Sequence, residues 1–165
     1  MKKFVLLYLL ALVLLFTLFY AETNILSRVL NDTQTSLTLM MLEPFLKPGQ
    51  LQGIDIIISP LYRIIITQAC NGMIPILFYF AAIVAYPSRL WIKPLWMGAG
   101  YLIFTLVNVL RILIVVYFVE QEGGRDNFYL AHDIFGNALL MIVGLGLFIL
   151  FIGSSGQGRK QPEKG

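Results

Sequence analysis

The stretch LWMGAGYLIFTLVNVLRILIVVYFV, residues 95–119, decides what kind of fold this chain adopts. It holds no acid and a single base, Arg111, in 25 residues. A hydrocarbon core about 30 Å thick needs about 20 apolar residues in a helix, so the segment is long enough to cross a membrane. Three further runs read the same way: Phe4 to Tyr20, Gly72 to Tyr86 and Ile134 to Ile152. The second extends back through Ala69, Cys70 and Asn71, giving spans of about 4–20, 70–86, 95–119 and 134–152. Composition agrees, with 58% hydrophobic residues, 13% charged residues and a mean hydropathy of +0.80. The expected fold is all-α integral membrane, with about four transmembrane helices in a single membrane domain, 1–153. The Gly/Ser/Lys-rich remainder, 154–165, is expected to be a disordered cytoplasmic tail.

The first run begins MKKFVLLYLL, with the basic head and apolar body of a signal peptide. Phe19-Tyr20-Ala21 is a poor cleavage site and the apolar body is long, so it is read as a retained first span. Charge then orients the bundle. With both termini inside, the inner segments carry Lys2, Lys3, Arg89, Lys93, Arg159, Lys160 and Lys164 against one acid, Glu163. The outer segments carry Arg28, Lys47, Arg63 and Arg125 against eight acids. That asymmetry predicts a multi-pass protein of the cell inner (plasma) membrane with both termini cytoplasmic. Its bases lie scattered at membrane edges without a basic face, so nucleic acid is excluded as a partner. Tyr86, Trp91 and Trp96 read as an interfacial belt on the inner side.

Residues 22–69 form the long outer segment. Between Ile25 and Met41, Leu26, Val29, Leu30, Leu37, Met40 and Met41 recur at helical spacing, predicting an amphipathic helix on the outer face. Beyond Pro44, Pro48 and Gly49, IDIIIS and RIIIT flank Ser59-Pro60-Leu61 and predict a small β-hairpin. Gly98, Gly100, Gly144 and Gly146 read as close helix contacts.

Three reactive side chains arrive at one depth. Cys70, the sole cysteine, stands at the outer mouth of the second span, and His132, the sole histidine, opens the fourth. Arg111 lies 17 residues beyond Pro94. At about 1.5 Å per residue it rises about 25 Å, to roughly 5 Å below the outer surface of the core. Placing arginine inside a span costs roughly 2.5–3.5 kcal/mol on insertion scales, so it marks a protein-facing or wet position. Asn108 lies one turn earlier on the same face.

Such groups support acyl transfer. Cys70 as thiolate attacks a carbonyl; His132 serves as base to the thiol and as acid to the leaving amine. Arg111 stays protonated and stabilises the thiolate, the oxyanion or the substrate carbonyl. Asp133 is a weaker candidate to orient His132, because adjacent helix positions do not face each other. One cysteine and one histidine make no usual zinc site, and no G-x-S-x-G, H-E-x-x-H or phosphate-binding loop is present, so no metal or cofactor is expected. Two other readings use the same residues: a noncatalytic membrane assembly factor, and a small carrier that binds an anion through Arg111.

ACNGM around Cys70, NVLRI around Arg111 and AHDIFGN around His132, in that order, resemble the three signature blocks of the exosortase/archaeosortase family. The resemblance covers roughly Gly53 to Gly146. It implies a membrane cysteine transpeptidase, analogous to sortase but unrelated in fold. Such an enzyme acts on exported proteins that end in a short motif, a membrane helix and a basic tail. It passes the new C-terminus to a surface acceptor, with Cys70, Arg111 and His132 as the catalytic positions. Two departures stand out. Many members have around eight spans, so this chain resembles a short form. The residue after the cysteine is often Ser or Ala, whereas Asn71 here is expected to alter the pocket or donate a hydrogen bond.

Overall fold

A computed structural model describes residues 2–21, 24–122 and 136–156 of the chain. The five helices among them are α1 (Lys2–Phe19), α2 (Ile25–Leu42), α3 (Met73–Ala85), α4 (Ile92–Glu122) and α5 (Asn137–Gly156). Between α2 and α3 lie three short strands, β1 (Leu51–Gln52), β2 (Asp55–Ser59) and β3 (Tyr62–Ile65). With 76% of the structure helical and α1, α4 and α5 long and apolar enough to cross a membrane, the fold is all-α integral membrane and the protein is multi-pass.

Contacts fix how the helices run. Phe16 meets Phe78 and Phe4 meets Tyr86, so α1 and α3 are antiparallel. Gly72 lies on Asn108 while Tyr79 lies on Gly100, so α3 and α4 are antiparallel as well. On α5, Asn137 meets Arg111 and Phe151 meets Trp96, which sets it antiparallel to α4. The end of the bundle bearing the sheet is called upper below.

The second expected span is the shortest of the five α-helices among the described residues. Its 13 residues cover about 20 Å, because Gly72 at its N-cap is left-handed (φ 82°) and Tyr86, ahead of Pro87, is extended. Cys70 and Asn71 precede that helix, in a 3-10 turn (Gln68–Cys70) and its cap. α5 continues to Gly156, past the expected end of its span, and residues 157–165 of the expected tail lie outside the described residues.

The hairpin is present as β2 and β3, with Pro60-Leu61 at the turn and an Arg63–Asp55 ion pair at 2.7 Å across it. Strand β1 adds to its other edge, giving an antiparallel β1-β2-β3 sheet. Ile56, Ile64 and Ile66 bury against Val109, Ile112, Val115, Val116 and Val119, so the sheet caps the upper half of α4.

α2 forms where its periodicity predicts, started by Asn24, whose side chain accepts from Ser27 N at 2.7 Å. Its buried face, however, is largely polar. Ser27, Asn31, Gln34 and Thr38 are buried, at i, i+4, i+7 and i+11, while Ile25, Leu26, Val29 and Met40 are exposed. Arg28, Asp32, Thr33 and Ser36 are exposed beside them, so the outward face is mixed, while the buried hydrogen-bonding groups find partners inside the bundle.

The lower half packs by shape. Tyr79, Phe104, Phe151, Ile76, Ile83 and Leu147 form its core, and Tyr86, Phe148 and Trp96 close around Phe151. Tyr86 and Trp96 therefore serve in packing, whereas Trp91 is exposed as a belt residue is expected to be. Gly100 admits the Tyr79 ring, which would collide with any Cβ there, and Gly144 faces Phe104. Gly98 and Gly146 stand in open space instead of at helix contacts.

Candidate active site

The 3-10 turn that carries Cys70 is held on three sides. Gln68 Nε2 donates to Tyr20 O at 2.8 Å, tying the turn to the end of α1. Thr67 Oγ1 lies 3.9 Å from Cys70 Sγ, and Cys70 N donates to Thr67 O at 2.8 Å. From α4, Asn108 Nδ2 donates to Cys70 O at 2.9 Å. Cys70 itself is half-buried.

Asn108 is also the link to the arginine. Its Oδ1 accepts from Arg111 Nη1 at 3.3 Å, so one fully buried amide bridges the peptide of the thiol residue and the guanidinium. Arg111 Nη2 donates to Asn137 Oδ1 at 3.3 Å, at the first turn of α5. The arginine is 4% exposed, and two of its N–H groups donate to amide oxygens. Gly136 permits this approach, since a Cβ there would strike Arg111 Nε. Gly72 does the same on the other side, its position lying 3.0 Å from Asn108 Cγ when a Cβ is added.

Asn71 is wholly buried. Its Oδ1 accepts from Met73 N at 2.9 Å, capping α3, and its Nδ2 donates toward Asn31 Oδ1 and Thr35 Oγ1, both at 3.3 Å. A side chain of Ser or Ala at this position lacks the reach to do both.

A groove of about 780 Å³ opens beside this cluster, between α3 and α5. Ala69, Gly72, Arg111 and Asn137 form its upper end; Phe78, Ala82, Leu145 and Phe148 line its lower part. From Gly72 to Ala82 it follows ten residues of α3, about 15 Å, or half the thickness of a bilayer core. Below, Phe148 meets Phe4, Tyr86 and Phe151, which closes that end.

Of the six residues singled out in the sequence, the structure brings Cys70, Asn71, Asn108 and Arg111 together. His132 and Asp133 lie outside the described residues. Sequence reasoning missed Asn137 and Gly136, although both sit inside the AHDIFGN block, and it missed Asn31, Gln34, Tyr101 and Thr105 behind Asn71. The polar spacing along SRVLNDTQTSLT, residues 27–38, was the available signal for Asn31 and Gln34. Among the described residues no group of three His, Cys, Asp or Glu side chains comes together as a metal-ligand set.

A thiol residue on a hydrogen-bonded turn, a buried arginine linked to it through one amide and a groove lined by that arginine define a class: helical membrane proteins that hold a polar site at one end of the bundle. Within it, the model of the transmembrane exosortase family matches residues 2–150, so the chain belongs to that family. Membership assigns it a membrane transpeptidase and sorting role in general, on exported proteins that carry sorting signals. The match takes in α1 and α2 as well as the three sequence blocks. No curated protein and no solved structure is significantly similar to the chain.

Proposed function

We propose that this protein is a membrane-embedded cysteine transpeptidase that cuts C-terminal sorting signals from exported proteins and transfers them to a surface acceptor, with Cys70 as nucleophile. The observation that carries this reading is the Asn108 bridge, which accepts from Arg111 and donates to the peptide of Cys70. It ties the peptide of Cys70 to a buried guanidinium, and that guanidinium lines the groove together with Ala69 and Gly72. The upper end of the bundle faces the extracytoplasmic side, as the distribution of Lys and Arg favours, and both termini are cytoplasmic.

In the first half-reaction the Cys70 thiolate adds to the carbonyl carbon of the scissile peptide. The carbonyl oxygen becomes an oxyanion, which Arg111 stabilises electrostatically. Collapse breaks the C–N bond; His132, having taken the thiol proton, returns it to the leaving amine. In the second, an acceptor amine or hydroxyl attacks the thioester, its proton goes to His132, and the thiolate is released. The apolar groove holds the hydrophobic segment that follows the cleavage point, so the peptide bond reaches Cys70 from within the membrane edge. The sheet and α2 cover the upper half of α4 and limit water, favouring the acceptor over hydrolysis.

Mapping the C-terminal peptides of secreted and surface proteins, in native cells carrying wild type or Cys70→Ala, tests this. The proposal expects proteins that keep an uncut C-terminal membrane helix to accumulate in the variant. Identical maps at equal expression would remove the nucleophile from the account and leave a noncatalytic assembly factor or a carrier. Solvent oxygen in the released product, with no acceptor adduct, would make the enzyme a hydrolase.

A further inference from the structure

The residue next to the thiol is clamped from a helix that the three signature blocks do not include. Gln34 of α2, 1% exposed, donates through Nε2 to Asn71 O at 3.1 Å and toward Thr105 Oγ1 at 3.3 Å. Its Oε1 accepts from Tyr101 OH at 2.6 Å. The Asn71 carbonyl can only accept, so it fixes which end of the amide is NH₂, and that leaves Oε1 facing the Tyr101 hydroxyl. Thr105 Oγ1 donates in turn to Tyr101 O at 2.9 Å.

Two successive carbonyls of the nucleophile turn are therefore gripped from two different helices, Cys70 O by Asn108 of α4 and Asn71 O by Gln34 of α2. A trans peptide carries its C=O and N–H on opposite sides, so this grip turns the N–H of Gly72 away from α2. Gly72 itself lines the groove. The bonds are buried, where water offers little substitute and losing one leaves a polar group unsatisfied.

We infer that Gln34, held by Tyr101, is a positioning residue that fixes the Cys70–Gly72 turn relative to Arg111. This rests on the transpeptidase reading for its consequence in activity, but its effect on the thiol is measurable alone. Because Cys70 is the sole cysteine, alkylation reports on one site.

The experiment follows iodoacetamide alkylation against pH for the full chain in detergent, together with C-terminal processing in cells. The variants are Gln34→Met, Tyr101→Phe and, as control, Thr38→Val. Thr38 shares the buried stripe, yet its hydroxyl bonds only within α2, to Gln34 O. Gln34→Met is expected to change the alkylation rate at neutral pH by about threefold or more and to lower processing about tenfold. Tyr101→Phe should move both in the same direction by less, and Thr38→Val should move neither. If Gln34→Met and Tyr101→Phe, folded as well as the control, match it in alkylation profile and processing, the inference is overturned. An altered alkylation profile with processing unaffected even in Cys70→Ala would instead uphold the clamp and sink the transpeptidase reading.

Discussion

The two halves of this bundle are held together in different ways. The lower half is an aromatic packing problem, in which Tyr79 fits against Gly100 and Phe104 while Phe148, Phe151, Tyr86 and Trp96 fill the remaining space. The upper half has its own apolar core under the sheet and beside it a hydrogen-bonding problem, in which Asn31, Gln34, Asn71, Asn108 and Asn137 bond among themselves, to the Cys70 carbonyl and to Arg111. Between apolar helices in lipid there is little hydrophobic drive, so close packing supplies cohesion below. Above, buried amides with directional bonds specify where a few atoms sit. Apolar packing thus runs through both halves while the polar specification is confined to the upper one, and substitutions at the lower packing contacts and in the polar cluster should fail differently.

The largest expected effect lies in the upper half. Arg111→Gln keeps hydrogen-bonding capacity but removes the charge, and processing should fall by about 10²–10³-fold while the purified chain melts close to wild type. Comparable processing by this variant would mean that the charge has no part in the chemistry. Gly100→Ala probes the opposite half. Its Cβ meets the Tyr79 ring, so thermal unfolding in detergent should show a loss of about 2 kcal/mol, with the activity of the surviving folded molecules retained.

Gly136→Ala is the matched test in the upper half. The added methyl displaces Arg111, lowering processing about tenfold with little change in melting. Were the two glycine variants to lose stability and activity in the same proportion, the distinction between lower packing contacts and polar cluster would be wrong. The smallest effect belongs to the ion pair between Lys47 and Glu120, 2.7 Å apart at the edge of the sheet, where Gln50 also donates to Glu120 at 2.6 Å. Lys47 is largely exposed, so Glu120→Gln should cost under about 1 kcal/mol in melting experiments and leave processing unaltered.

Much of the lower half was legible in the sequence because apolar length is enough to announce a span. The hairpin was legible for a similar reason, since the β-branched runs either side of Ser59-Pro60-Leu61 admit few alternatives. The two-residue strand β1 was too short to carry a pattern. The boundaries of α2 were visible in its periodicity, but not which face meets the protein. A period of 3.6 marks a stripe without naming which side is buried, and here the buried side is the largely polar one. In the site, Cys70, Arg111 and Asn108 stood out as a lone thiol and polar groups inside apolar runs. Gln34 and Tyr101 did not, because amides and hydroxyls are common and their partners lie 37 and 67 residues away in the chain.

The central claim is that Cys70 becomes covalently attached to the protein it cuts. Wild-type chain isolated from native membranes and examined by mass spectrometry at the Cys70 peptide, before and after hydroxylamine, addresses it directly. The account predicts a fraction of Cys70 carrying the C-terminus of an exported protein as a thioester, released by hydroxylamine as the hydroxamate. A Cys70 peptide that remains an unmodified thiol throughout, in cells where sorting signals are being removed at their normal rate by this protein, would contradict it.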